Sequence, residues 1–270
     1  MQKEKLGSLG RLLVLEFIVI VESSADYRIA TDLATRIIVD KIEWIEPYLD
    51  NTFQWRGLQD GTTYSCWRDI GKIRKEIEEQ GTIRLPRFLR RNSQPLKADG
   101  AAALQVLQLA ALLQKNRQIR AVLFIIRDLD NQPERRLGLE QAREEFHHRT
   151  LSIATIIGTA DTKREAWVLN GFEPLNEIEE AMLGELRKAL GFDPTLEAHR
   201  LRSVSRQGAE RTRNVKVIVE MLTGDGSERE AHCWTATDLN LLRQRGVNTG
   251  LTAYLQEVEY HLIPILAVNE

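Results

Sequence analysis

The sequence predicts an α/β fold with a mostly parallel sheet, a Rossmann-like core carrying an insertion and a helical C-terminal portion. Two apolar runs carry most of that expectation: Phe17-Ile18-Val19-Ile20-Val21 and Ala121-Val122-Leu123-Phe124-Ile125-Ile126. Neither alternates apolar with polar residues, so each reads as a strand buried on both faces. Helical patterns follow each run, and from Glu173 onward the pattern is mostly helical.

The first strand is expected near Leu13 to Val21. Ser23, Ser24, Ala25 and Asp26 come next, followed by Ile29, Ala30, Leu33, Ala34, Ile37 and Ile38 at helical spacing, so a helix starts here with Ser or Asp as its N-cap. Residues 41–98 scatter Trp44, Tyr48, Phe53, Trp55, Tyr64 and Trp67 among charges, prolines and glycines without a sustained period. They read as an insertion or peripheral subdomain of mixed structure. Asp99-Gly100 is expected to cap a helix from Ala101 to Lys115, rich in Ala, Leu and Gln. The second strand, Ala121 to Ile126, ends at Asp128 and Asp130. A polar turn, Asn131-Gln132-Pro133, leads into an amphipathic helix from about Glu134 to His148, with Leu137, Leu139, Ala142 and Phe146 facing inward. A third strand, Leu151 to Ile157, closes with Gly158-Thr159-Ala160-Asp161 before a short helix, Lys163 to Leu169. Later helices are expected at Glu173–Leu190, Ala209–Leu222, Thr237–Arg245 and Thr249–Ile263. This divides the chain into an α/β domain over 1–170, with its insertion at about 41–98, and a helical region over 171–270.

Of the 270 residues, 43% are hydrophobic and 28% charged, a balance that excludes disorder of the whole chain. The formal net charge of −2 gives no global attraction to nucleic acid or anionic membrane, so any polyanion binding must be local. The longest apolar stretch, Leu12 to Val21, is broken by Glu16 and is about half the roughly 20 residues that a membrane helix needs. No secretory signal pattern is seen, so a cytoplasmic protein without membrane association is expected. Cys66 and Cys233 are far apart and read as free thiols. His147 and His148 point about 100° apart on a helix, a poor arrangement for ligands of one zinc ion.

Glu22 directly follows the first apolar run, with Asp26 four residues on, and Asp128-Leu129-Asp130 ends the second. The carboxyl edge of a parallel sheet is where ligands bind. Carboxylates gathered there raise one another's pKa unless a cation neutralises them, and hard oxygen ligands suit Mg²⁺ or Mn²⁺. Asp26 can equally serve as a helix N-cap, and an isolated Asp-x-Asp can be a polar turn.

The glutamate after a β-branched run, the aspartate four positions on and the later Asp-x-Asp together resemble the Toprim domain of topoisomerases, bacterial primases and several nuclease families. The resemblance implies a metal-binding set of Glu22, Asp26, Asp128 and Asp130. A closer likeness is to small bacterial Toprim-like proteins related to the overcoming-lysogenization-defect (OLD) nucleases, which carry a short Glu-x-Trp element after the third strand. Here that element is Glu165-Ala166-Trp167, preceded by Asp161-Thr162-Lys163-Arg164. The likeness spans Leu13 to about Leu169, with Ser23 where Toprim proteins usually carry glycine. It implies metal-dependent hydrolysis of nucleic acid, DNA before RNA, in antiphage defence beside an ATPase partner. Glu22, Asp128, Asp130 and Glu165 would be the catalytic residues. The alternative is a non-catalytic sensing or docking subunit, and either form allows assembly into a homo-oligomer.

Glu165 can be a ligand, an orienting base or an exposed residue of the first helical turn. Trp167 reads as core, with Val168 and Leu169 beside it. Lys163 and Arg164 are either phosphate contacts or solvated charges. Two basic segments could bind a polyanion or simply be solvated surface. One runs from Arg84 to Lys97 and includes Arg87, Arg90 and Arg91; the other runs from Arg200 to Arg206 and continues through Arg211, Arg213 and Lys216. No tyrosine is placed for a covalent DNA intermediate, and no zinc-ribbon spacing is present, which disfavours topoisomerase and primase chemistry.

Overall fold

The computed structural model describes residues 15–79, 95–147, 153–224 and 226–267. Strand β1 (Leu15–Val21) leads into α1 (Ser24–Lys41), α2 (Leu49–Thr52), β2 (Phe53–Arg56), β3 (Ser65–Cys66) and α3 (Ile70–Glu79). Then come α4 (Gly100–Arg117), β4 (Arg120–Asp128), α5 (Glu134–His147), β5 (Ala154–Ala160) and α6 (Arg164–Asn170). The chain continues through α7 (Glu177–Leu190), α8 (Val215–Thr223), α9 (Ser227–Thr235), α10 (Leu239–Arg245), α11 (Leu251–His261) and α12 (Ile263–Ala267). Among the described residues no helix is long and apolar enough to cross a membrane.

The fold is α/β, with a sheet of five strands ordered β2-β1-β4-β5 and β3 also paired to β1. Every pairing is parallel. Because side chains alternate along a strand, the two apolar runs feed two cores at once. Phe17, Val19, Val21, Val122, Phe124 and Ile126 face the layer that holds α1, α6 and α7 to α12. Ile18, Ile20, Leu123 and Ile125 face α3, α4 and α5. The C-terminal helices therefore share the core of the sheet.

The segment expected as an insertion contributes two strands to that sheet. In β2, the Phe53 ring stacks on Phe17 at 4.4 Å between centroids, and Trp55 meets Phe17 edge-on at 4.9 Å. Strands of four and two residues are too short to show a period in sequence. The third long strand begins later than expected, and Leu151 lies outside the described residues, as do Leu13 and His148. Gly158 and Thr159 belong to β5. Glycine is uncommon in strands, but here a Cβ would come within 2.7 Å of Ile126 and 2.8 Å of Tyr254. Of the residues expected to face inward on α5, Leu139, Ala142 and Phe146 are buried, while Leu137 is 49% exposed. Between the expected C-terminal helices lies an additional one, α9.

Asp99 does not cap α4 with its side chain. Its backbone is left-handed, and its carboxylate instead accepts from Arg127 Nε at 2.7 Å. The outer edge of β5 is closed by side chains: Arg143 donates to the Thr155 carbonyl at 3.3 Å, and the Ile157 N–H donates to Glu257 at 3.2 Å. Such closure protects an edge strand from pairing with another chain.

Gly250, at the start of α11, has φ +81°, and a Cβ there would run into the Thr159 carbonyl oxygen. Gly250→Ala is therefore expected to lower stability by about 2–4 kcal/mol, combining left-handed strain with overpacking. Urea denaturation followed by circular dichroism measures this, and an unchanged midpoint would refute the close packing of α11 on β5.

Candidate active site

Strands β1, β4 and β5 finish at one edge of the sheet. The register Ile20↔Ile125 carries Glu22 to the level of Arg127, and Asp128 pairs with Ala160. Glu22 Oε1 accepts from Arg127 Nη1 at 2.6 Å and from the Asp128 N–H at 3.3 Å. Ser23 is the N-cap of α1: its hydroxyl accepts from the Asp26 N–H at 3.4 Å and donates to Asp26 Oδ2 at 2.7 Å. Asp128 Oδ1 accepts the backbone N–H of Arg164 at 2.8 Å, where α6 begins.

The Arg164 side chain is buried among acids. Its Nη1 donates to Glu230 at 2.8 Å, Nη2 lies 3.4 Å from Glu165 Oε1, and Nε lies 3.9 Å from Asp26 Oδ1. Lys216 Nζ is 3.7 Å from the same Glu165 oxygen. The other oxygen, Glu165 Oε2, is buried without a hydrogen-bond partner among the described residues.

These neighbours perturb two carboxyls in the same direction. Burial, then the charges of Asp26, Glu165 and Glu22, push Asp128 well above the ordinary carboxylate value, against the hydrogen bond from Arg164. Burial and the charge of Glu165 raise Asp26, against the hydrogen bond from Ser23 and the charge of Arg164. Asp130 behaves oppositely. Burial pushes it up, but hydrogen bonds from Lys163 and Arg135 outweigh burial and hold it below the ordinary value.

The structure thus gathers Glu22, Asp26, Asp128 and Glu165 in one electrostatic neighbourhood. Asp130 is directed into a separate pairing, accepting from Arg135 Nη1 at 2.8 Å and from Lys163 Nζ. Beside Asp26, Asp128 and Arg164 runs a cleft too narrow to admit water. Trp167 is core: its ring stacks on Tyr254 at 5.2 Å, and its Nε1 donates to the Thr249 carbonyl at 2.9 Å. Arg87, Arg90 and Arg91 lie outside the described residues.

The donor set suits a hard divalent cation in kind, with oxygen ligands only, one of them unpartnered, and a crowded carboxyl at its centre. In the present arrangement, no three His, Cys, Asp or Glu groups among the described residues are placed to hold an ion. Arg127 and Arg164 stand between the acids instead.

Sequence reading missed Arg127, Asp99, Glu230 and Arg135 as members of this site. Arg127 alone had a signal, since it directly precedes Asp128 at the end of the apolar run. No family model, curated protein or solved structure matches the chain.

A carboxyl raised in the folded state favours folding while protonated, and that contribution is lost as pH rises from the ordinary value of 3.8 through the raised one. Asp128→Asn keeps the acceptor for Arg164 and removes this loss. In buffer free of divalent ions, the variant should melt above wild type at pH 7 and converge with it toward pH 4. The gap is roughly 2–4 °C for each kcal/mol of relieved repulsion. Parallel melting curves across that pH range would contradict the burial and crowding assigned to Asp128.

Proposed function

We propose that this sheet edge is the active site of a divalent-metal-dependent nuclease that uses Mg²⁺ or Mn²⁺. One observation carries the reading: Glu22, Asp26, Asp128 and Glu165 share one electrostatic neighbourhood at the carboxyl edge of the parallel sheet, where burial first, and then the charges of the other three, disfavour Asp128 as an anion. These four would hold the metal. Bound there, it would supply Lewis-acid stabilisation of a phosphodiester and an activated water.

The chain's own groups orient the donors. Ser23 fixes Asp26, the Arg164 N–H fixes Asp128, and Arg127 holds Glu22 between itself and the end of β4. Asp130 acts through Lys163. Burial works against the ammonium charge, but the hydrogen bond to Asp130 and the charges of Asp128 and Glu165 keep it protonated. Lys163 is the cation offered to a phosphate oxygen. The ATPase partner, the defence setting and the preference for DNA rest on the resemblance to the OLD nucleases alone.

A second reading is a non-catalytic sensing or docking subunit. It is favoured by the cations already paired with Glu22 and Asp130, and by the absence of a three-ligand group among the described residues. Metal titration separates the two. Under the nuclease reading, Mn²⁺ at 100 times its Kd stabilises wild type by about 2.7 kcal/mol. Asp128→Ala abolishes that shift and lowers Mn²⁺-dependent cleavage of DNA or RNA on the order of 100-fold. Equal cleavage by wild type and variant would overturn the nuclease reading, and a wild type whose melting ignores Mn²⁺ would favour the docking role.

A further inference from the structure

The loop that leads into α8 carries Arg200, Arg202, Arg206, Arg211 and Arg213, the first turn of α8 adds Lys216, and the structure sorts these cations into two kinds. Arg200 is 2.9 Å from Glu197, Arg202 is 3.0 Å from Asp161, and Arg206 pairs with Glu220. Lys216 faces Glu165. Arg211 and Arg213 are exposed and make no ion pair or side-chain hydrogen bond among the described residues.

Their position is fixed by the backbone. Arg202 and Asn214 form an antiparallel bridge, the Ser203 N–H donates to the Arg213 carbonyl at 3.0 Å, and Asn214 Nδ2 donates to the Ser205 carbonyl at 3.0 Å. Arg202 also donates to Asn131 Oδ1 at 3.1 Å, and Asn131 Nδ2 returns a bond to the Arg202 carbonyl at 3.2 Å. Asn131 and Asp161 lie in the turns that follow β4 and β5. The loop is therefore a wall of the carboxyl edge, tied to those turns at one end and, through Lys216, to Glu165 at the other.

We propose that Arg211 and Arg213 are the phosphate-gripping pair of this edge, holding the backbone of a nucleic-acid strand whose reacting phosphate is delivered to the carboxylates. The inference rests on the nuclease reading above. Guanidinium groups suit the task because they present paired donors to phosphate oxygens without reading base identity. The paired arginines of the same loop are already engaged by acids, so their removal should leave the strand in place.

The test is fluorescence anisotropy of a labelled single-stranded DNA of about 30 nucleotides, titrated with the full chain in EDTA so that cleavage is silent. The double variant Arg211→Gln/Arg213→Gln is expected to bind roughly tenfold more weakly at low salt, with the slope of log affinity against log salt smaller by about 1.4. Arg200→Gln/Arg206→Gln should stay within about twofold of wild type. Wild-type affinity and slope in the Arg211/Arg213 variant would overturn the proposal, as would a wild type that shows no salt-dependent binding. The two readings fail separately. Metal-dependent cleavage that survives Asp128→Ala removes the nuclease site whatever the anisotropy shows. Unchanged anisotropy alongside Asp128-dependent cleavage removes only the phosphate grip.

Discussion

Arg164 is the group on which the carboxyl edge depends. Two like charges about 4 Å apart repel by about 4 kcal/mol at an effective dielectric of 20, so acids from β4, α1, α6 and α9 cannot share a buried edge without a cation among them. Arg164 supplies it from a position only 8% exposed. Its guanidinium faces Asp26, Glu165 and Glu230, while its backbone N–H bonds Asp128. One residue thus fixes where α6 starts, how close α1 comes to β4 and which face of α9 turns toward the sheet. Removing only the arginine would leave several acids uncompensated, the more damaging way to break a buried network.

The same constraint makes the C-terminal helices part of the α/β core. Glu230 reaches Arg164 from α9, and the neighbouring Trp234 donates its Nε1 to Asp32 of α1 at 2.9 Å. Tyr254 of α11 is fully buried, stacks on Trp167 and donates its hydroxyl to the Ala30 carbonyl at 2.7 Å. Glu257, one turn further along α11, serves the edge of β5. A helix that supplies both an edge cover and a ring to the central core cannot be detached without exposing both. The apolar face of β1 and β4 is completed only when residues beyond 170 fold onto it.

The two long central strands were legible because burial on both faces leaves an unbroken apolar run, and Glu22 and Asp128 were legible because each stands at the end of one. The fate of Asp130 was not. In a continuing strand Asp128 and Asp130 would point to the same face, as residues two apart do. The strand stops at Asp128, and Asp130 and Asn131 then take positive φ values of 47° and 61°. That turn carries the second carboxylate toward Lys163 and Arg135, partners from a loop and a helix that no local spacing connects to it. The charge of Glu165 does act on Asp128, but its link with Asp26 passes through Arg164, a contact that exists only after α1 and α6 pack together. β2, β3 and α9 were illegible for a simpler reason: each is short, and each draws its place from neighbours.

The two ends of the sheet show what is unusual about the carboxyl edge. At the amino end, the buried Glu16 in β1 has its own cation, Arg56 of β2 at 2.6 Å, which reaches out to the exposed Asp60 at 3.0 Å as well. At the carboxyl end, Arg127 bridges Glu22 and Asp99, Arg164 is divided among three acids, and the Asp128 carboxylate accepts only a backbone N–H among the described residues. A buried network of this kind is weak evidence for stability, since apolar residues of similar volume often serve the fold as well or better. The mismatch is also local, because a chain with net charge −2 has no shortage of cations. Two arginines, Arg211 and Arg213, without an ion-pair partner among the described residues stand in the loop that walls this edge. Acids short of cations beside cations short of acids is the charge pattern that a metal ion and a phosphate backbone would complete together, the first entering the carboxylates and the second lying on the wall.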